Sequence, residues 1–538
     1  MIHNDRQTIQ STFSQPWDLV VIGGGITGAG ILRAAASAGL RALLLEAADF
    51  SFGTSSRSSK MVHGGFRYLR NHQFNVTYES VSQRQHLLAN APHLVLPLRF
   101  LMPYYHRSTG RNLHLGVIIY DLMAPRWDHC AYTSQQVLER APVRSEGLLG
   151  GYEYTDARID DSRMVLRILN EAQRLQAAAI NYTKVIGLLR TRDGRVCGVQ
   201  VKDQAGSGLW AEIQARVVIN AAGPWSDELR AHIGAPPRIR KLRGSHVIFP
   251  AARIPLQRAV TLFHPRDNRA MFVLPWETAV IFGTTDIDHN QPTAEPYASN
   301  QEIEYILEAA RQTFPAFELT QQDAIATFAG LRPIVSSGGK TSPSKESRAH
   351  VIWQEAGLLT VTGGKLTTYR IMARQALQAV RPLFPAFSDF KPPSFDPLPE
   401  ITPPPDLDPI IFPALLGRYG QDTFDMLLAA QPGELETICG APFIWAELRW
   451  AAQTEAVEHL DDLLLRRMRL GLLLPGGGQE LLPRVRSIIQ PLLGWTDERW
   501  YVEEARYLDL WKRYYAPAPS GDHPVVTHAP EDALTQAE

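Results

Sequence analysis

The feature that most narrows the fold is the run Gly23-Gly24-Gly25-Ile26-Thr27-Gly28 with its flanks. Ahead of it, Asp18–Ile22 is a short apolar run, which predicts a buried strand. Behind it, Gly28–Ala38 is rich in small residues and ends at Gly39, which predicts a helix, and Arg41–Leu45 predicts a second strand closed by Glu46. Gly23, Gly25 and Gly28 therefore satisfy GxGxxG in the strand–turn–helix context that gives the pattern its meaning. Gly23 permits a tight turn, Gly25 lets a pyrophosphate approach the backbone, and Gly28 lets the helix pack on the strand. The helix start offers N–H groups and a partial positive charge to an anion. A carboxylate ending the second strand suits ribose hydroxyls and repels a 2′-phosphate, so Glu46 favours FAD or NAD over NADP. The fold class this predicts is α/β, with a Rossmann-like dinucleotide-binding domain.

At 538 residues the chain is too long for one ordinary domain, and about 150 residues per domain gives three or four units. The clearest boundary is 391–405, where seven of fifteen residues are proline; missing donors and fixed φ predict an extended, semi-rigid linker. Beyond it, Ala446–Leu470 lacks Gly and Pro and mixes apolar residues with Glu and Arg at helical spacing, which predicts a helix stopped before Gly476, Gly477 and Gly478. Pro483–Leu493 and Asp497–Tyr515 predict further helices, so 406–515 reads as an all-α domain. The Pro-rich, acidic stretch 516–538 is expected to be disordered. Ahead of the linker, Asp161–Ala178 predicts an amphipathic helix with Met164, Val165, Ile168, Leu169, Ala172 and Leu175 on one face. Tyr182–Leu189 and Val196–Val201 predict a hairpin around Asp193-Gly194. Val247–Phe249, Ala270–Leu274 and Ala279–Phe282 predict later strands.

Composition excludes several classes. Lys plus Arg, 54, nearly balance Asp plus Glu, 55, which argues against a chain built to coat nucleic acid. Cys130, Cys197 and Cys439 lie far apart without a CxxC pair, so neither a disulfide scaffold nor a cysteine zinc site is expected, and a reducing compartment fits. No HExxH or ligand-spaced carboxylate set occurs, so no metal is expected. The polar start, 1–16, has no signal-peptide core, and no run of about 18 apolar residues follows. A cytoplasmic protein is expected, with peripheral contact to the inner face of the cell membrane left open. The segment Arg99–Trp127 reads as interior packing with a basic rim or as a surface touching lipid headgroups.

A second chemical segment is Thr54–Tyr68, TSSRSSKMVHGGFRY. Its hydroxyls, glycines and cations suit a loop that cradles phosphates and a ring while showing charge to a substrate. Val217–Gly223 (VVINAAG) and Leu358–Tyr369 (LLTVTGGKLTTY) are strands running into glycine turns, where backbone can approach an extended cofactor.

With NAAGPW (Asn220–Trp225), RGSH (Arg243–His246), GTTD (Gly283–Asp286), GLRP (Gly330–Pro333) and GGKLTTYR (Gly363–Arg370), that loop closely resembles the FAD-dependent glycerol-3-phosphate dehydrogenases. These are aerobic, respiratory flavoenzymes of the D-amino-acid-oxidase-like superfamily. The likeness covers roughly 17–380 and extends into the helical region through RRMRLGLLLP (Arg466–Pro475) and YLDLWKRYY (Tyr507–Tyr515). The resemblance implies FAD as cofactor and oxidation of sn-glycerol 3-phosphate to dihydroxyacetone phosphate. Hydride passes from substrate C2 to flavin N5, and a membrane quinone takes the electrons. A homodimer is compatible with it, and nucleic acid is not a partner. It also implies an FAD-dependent region over 17–390, with FAD-binding segments at about 17–75, 150–225 and 320–380. Substrate-domain segments of mixed sheet fall at about 76–149 and 226–319.

For the site, the resemblance adds Thr54, Ser55, Ser58, Ser59, Lys60, His63, Gly64, Gly65, Ala222, Gly223, Gly364, Lys365, Leu366 and Thr367 to the glycine turn and Glu46 as cofactor contacts. It places Arg67, Arg332 and Lys365 on the substrate side, with Tyr68 beside them. A substrate phosphate carries about −1.5 to −2 charge at neutral pH and needs several cations. Arg332 and Lys365 are the expected phosphate anchor, and Arg67 holds the hydroxyl end or closes the pocket. Loss of the C2 hydroxyl proton calls for a base, for which His246 and His63 are the candidates, His246 first. Arg57 departs from the family pattern, where a small residue is expected; an added cation there either crowds the site or faces solvent. Three readings remain beside the dehydrogenase: a glycerol-3-phosphate oxidase that uses oxygen, an amine or amino-acid oxidase of the superfamily, and a flavin-holding interaction protein that uses its helical domain as a partner surface.

Overall fold

The computed structural model describes residues 9–66, 69, 73–124, 127–206, 208–291, 295–336, 349–384 and 392–517. The glycine-rich run sits where its pattern requires, between β1 (Trp17–Ile22) and α1 (Ile26–Ser37), with β2 (Ala42–Leu45) returning beside β1. β1 and β2 pair in parallel, Leu19 opposite Ala42 and Ile22 opposite Leu45. Both are almost wholly apolar because a parallel strand is covered on both faces. Trp210–Asn220 lies on the far side of β1 and Leu358–Gly363 beyond it, both parallel, while Ala178–Ile180 lies outside β2. The expected hairpin forms from Thr183–Arg190 and Val196–Asp203, turns at Gly194 (φ +84°), and joins the sheet through Trp210–Asn220. α1 packs between the helices Asp161–Arg174 and Tyr369–Val380, where Gly30 leaves room for the Tyr369 ring.

A second, mostly antiparallel sheet has ten strands among the described residues. Ile239–Pro250 runs between Ala279–Gly283 and Ala326–Val335, with His246 opposite Gly283 on one side and Phe328 on the other. Three strands within the expected FAD-binding segments pair in this second sheet, Met61–Val62 with Gly150–Ile159 among them. Gly150–Ile159 pairs with Val95–Tyr104, and Ala326–Val335 pairs with Ile239–Pro250. A strand's hydrophobic pattern states which faces are covered but not which sheet it joins.

The C-terminal region is helical, with Trp445–Thr454, Leu482–Leu493 and Asp497–Tyr514 as its longer helices. The single helix expected over 446–470 is broken. After Thr454 the chain reverses at Ala456 (φ +52°), makes a wide π turn over Asp462–Arg467, and passes through Arg469 (φ +57°) into Leu470–Leu473. The cause is burial of its charges, of which helical spacing gives no sign. Arg466, Arg467 and Arg469 are at most 2% exposed and reach acids outside the segment, which a continuous helix does not allow. The polar face of Asp161–Arg174 is covered in the same way, with Arg163 held by Glu455 at 2.8 Å. The proline-rich stretch is extended but does not act as a free spacer. Arg33 donates to the Pro393 carbonyl at 3.3 Å, Arg370 to that of Pro392 at 2.8 Å, and Phe395 is buried in the core beside α1.

Candidate active site

One cavity of about 880 Å³ runs from the ends of β1 and β2 to the face of the second sheet. That is near the upper end of the 300–1,000 Å³ usual for ligand sites, as an elongated ligand requires. Gly23, Gly25, Ile26, Thr27, Glu46, Thr54, Ser55, Ser58, Ser59, His63, Ala222, Gly223, Gly364, Lys365, Leu366 and Thr367 all line it.

At one end Glu46 bridges two loops, accepting from the Gly24 amide at 2.6 Å and the Ala48 amide at 2.9 Å. Burial pushes its carboxyl up while those amides pull it down. Gly23 has φ +112°, and a Cβ there meets the Ala221 carbonyl. A Cβ on Gly28 collides with the Gly23 carbonyl, so helix and turn touch backbone to backbone. Ser55 Oγ accepts from the Ile26 amide at 2.9 Å, tying the Thr54–Tyr68 loop to the start of α1. Across the cavity, Gly363 and Gly364 have φ of +76° and +72° and turn the chain into Lys365. This donor set fits FAD: a carboxylate, a helix N-terminus and a glycine turn line one elongated space.

At the other end the second sheet supplies the chemistry. Gly244 and His246 are two apart on one strand and Gly330 and Arg332 two apart on its neighbour, so each pair shares a face. Missing side chains make room: the Arg332 guanidinium lies on Gly244, the His246 ring on Gly283 and the Arg57 backbone on Gly330. Arg332 is aimed by the GTTD segment. Nη1 donates to the Thr285 carbonyl and to Asp286 at 3.1 Å each, and Nη2 to Thr284 Oγ1 at 2.8 Å. His246 Nε2 is 2.8 Å from Ser59 Oγ, its ring stacks on Phe328 at 4.4 Å, and its Nδ1 is buried without a partner among the described residues. Burial, then the charges of Arg332 and Lys60, hold its pKa well below the ordinary histidine value. Lys365 lines the cavity and donates to Ser80 Oγ at 2.8 Å. His63 lines it as well, its carbonyl facing Thr367 Oγ1 at 3.4 Å.

Several expected contacts stand elsewhere. Lys60 is fully buried behind the wall, bound to Asp161 at 2.9 Å and to the Ser56 carbonyl at 2.6 Å. Burial and Arg469 lower its pKa to about 8 against the pull of Asp161. Gly24 and Gly64 do not line the cavity: a Cβ on Gly24 meets Glu46 and Phe50, and one on Gly64 meets Tyr120 and Val81. Gly65 does not line it either and turns at φ +82°. Arg67 and Tyr68 lie outside the described residues. Arg57 does not face solvent and lines part of the cavity wall. It is buried, paired with Glu295 at 2.5 Å, and lies 5.1 Å from the Phe52 ring and 5.7 Å from that of Tyr515. Sequence reasoning assigned no role to Ser59 toward His246, to Asp161, or to Thr284 and Asp286. The GTTD motif was the one signal that could have pointed to the last two.

Comparison with known proteins agrees with this geometry. The family of FAD dependent oxidoreductases matches residues 18–370, and the C-terminal domain of alpha-glycerophosphate oxidase matches 360–500. Glycerol-3-phosphate dehydrogenase 2 of Mycobacterium tuberculosis is 36% identical over 522 residues, covering 92% of this chain and 88% of that protein. The aerobic glycerol-3-phosphate dehydrogenase of Staphylococcus haemolyticus is 36% identical over 69% of this chain and 68% of its own length. Among solved structures, the glycerol-3-phosphate dehydrogenase of Bacillus halodurans complexed with FAD superposes with TM-score 0.75 at 27% identity, over 96% of this chain and 98% of that one. The chain thus belongs to the FAD-dependent oxidoreductase family, within it to the glycerol-3-phosphate dehydrogenases, and its cofactor is FAD.

Proposed function

We propose that the protein oxidises sn-glycerol 3-phosphate to dihydroxyacetone phosphate and delivers the electrons to a membrane quinone. The observation that carries the reading is that Arg332, Lys365 and His246 all line one FAD-sized cavity, with Arg332 and His246 on adjacent strands of the second sheet. Bound flavin supplies a two-electron acceptor for the hydride of substrate C2. The chain supplies the rest. Arg332, fixed by Thr284, Thr285 and Asp286, presents a fork suited to a phosphate, and Lys365 adds a second cation. Anchoring the phosphate orients the hydroxyl carbon and contributes to rate as well as affinity. The unprotonated His246 takes the C2 hydroxyl proton, its ring held by Ser59 and Phe328. By family resemblance Arg67 holds the hydroxyl end or closes the pocket and Tyr68 is its hydrogen-bonding neighbour, with His63 as the alternative base.

The quinone reading draws support from the helix Arg107–Met123, which turns one stripe outward. Arg107, Arg111, Leu115 and Leu122 lie along it, with Leu115 60% and Leu122 71% exposed, and Trp127 beyond the helix end is 66% exposed. Its inner side, through Gly116 and Tyr120, packs on Phe66 and Gly64, next to the cavity residue His63. Basic and apolar residues on one face suit an anionic lipid surface. No helix among the described residues is long and apolar enough to cross a membrane.

Arg332→Ala tests the anchor. It is expected to raise KM for glycerol 3-phosphate at least about tenfold, the loss of a charged hydrogen bond being worth about 1.5–3 kcal/mol, with FAD still bound. Asp286 keeps Arg269 at 3.5 Å, so the pocket stays paired. An unchanged KM removes Arg332 from the anchor. A soluble quinone analogue is expected to support faster turnover than oxygen, and oxygen as the better acceptor would make the enzyme an oxidase.

A further inference from the structure

We propose that the C-terminal helical domain is a positioning part of the cofactor site, holding the cavity-wall segment 46–60 from behind through Arg466, Arg467, Arg469 and Tyr515. The inference rests on the FAD assignment and not on which substrate is oxidised. Packed apolar residues would join two domains at least as well as buried ions, so the ion pairs stand out by where they converge.

The first grip is on Asp49, three residues beyond Glu46. Its fully buried carboxylate receives Arg466 Nε at 2.5 Å and Arg467 at 2.6 and 2.8 Å. Burial alone would raise this acid, but the two arginines together hold it low. The second grip is Arg469, which donates to the Ser56 carbonyl at 3.3 Å and pairs with Asp161. Asp161 in turn accepts from the Ser58 amide at 3.0 Å, from its hydroxyl at 2.6 Å and from Lys60 at 2.9 Å. Ser59, between these two tethered residues, holds His246. The third grip is Tyr515, whose hydroxyl donates to Glu295 at 3.1 Å beside Arg57 and whose carbonyl accepts from the Thr327 amide at 2.7 Å. Arg466 also lies 5.8 Å from the ring of Phe52, a cavity residue. One domain thus sets the backbone next to Glu46 and the serine that orients His246.

The test uses full-length Arg469→Met, Arg469→Lys and Ser58→Ala proteins. FAD retained on dialysis, the visible spectrum of bound flavin, kcat per bound FAD, and KM are measured. Arg469→Met is expected to release FAD about tenfold faster, as loss of a charged hydrogen bond implies. It should also alter the flavin spectrum and lower kcat per bound FAD about tenfold, as misorientation does, with KM changed less than about twofold because the phosphate anchor is untouched. Arg469→Lys should recover most of the FAD retention, and Ser58→Ala should move the same quantities in the same direction. Wild-type retention, spectrum and kcat per bound FAD in Arg469→Met would overturn the proposal. So would lowered melting temperature alone, with every folded molecule holding FAD and turning over normally. If Arg469→Met does not fold, wild-type values in both Arg469→Lys and Ser58→Ala overturn it. Retention and spectrum are read without substrate, so a wrong substrate assignment leaves them standing.

Discussion

At the scale of residues, His246 joins geometry to chemistry. Its folded-state pKa is depressed by burial, Arg332 and Lys60, so the ring is neutral above that value and protonates only as the pH falls well below the ordinary histidine range. The acid limb of the kcat profile is therefore expected below about pH 6.5. His246→Asn should remove that limb and lower kcat by about 10²–10⁴ with FAD retained. A wild-type limb at or above the ordinary value, or a mutant with normal kcat, would assign the proton to another group such as His63. Much of this was legible in sequence because motifs are local: the glycine turn, Glu46, His246, Arg332 and Lys365 each announce themselves with near neighbours. Their partners do not. Ser59 meets His246 and Asp161 meets Lys60 across more than a hundred residues, a pairing the tertiary fold alone decides. Lys60 looked like a phosphate ligand for that reason, since a cation in a hydroxyl-rich loop gives no sign that a buried acid already holds it.

At the scale of elements, the βαβ unit is the best-read part because three constraints agree there: strand burial, glycine geometry and helix packing. Gly28→Ala is expected to cost about 1–3 kcal/mol as forced overpacking and to lower FAD occupancy, because the added Cβ strikes the Gly23 carbonyl. A denaturation midpoint and flavin content equal to wild type would show that the turn yields freely. The helix Arg107–Met123 presents the opposite case, an element whose outer face is exposed among the described residues at Leu115 and Leu122. Leu115→Gln with Leu122→Gln should lower binding to anionic vesicles while leaving turnover with a soluble acceptor unchanged. Equal vesicle binding by mutant and wild type would direct the membrane reading elsewhere. The stretch 446–470 misled by period, since Glu and Arg at helical spacing look alike whether water or another domain faces them.

At the scale of the whole molecule, residues of the two sheets and their loops line one cavity, and buried arginines of the helical domain contact the segment that carries its wall from behind. Which strand joins which sheet was not legible, because Ala326–Val335 is buried along most of its length, a pattern that fits a covered strand of either sheet. The cavity is proposed to bind flavin beside cations that select a phosphorylated three-carbon alcohol. Anaerobic titration of the purified flavoprotein with sn-glycerol 3-phosphate, followed by flavin absorbance, tests it most directly. Stoichiometric bleaching by glycerol 3-phosphate is expected, with far weaker reduction by unphosphorylated glycerol or by amines. Flavin that stays oxidised under excess glycerol 3-phosphate, or that bleaches equally with an amine, would contradict it.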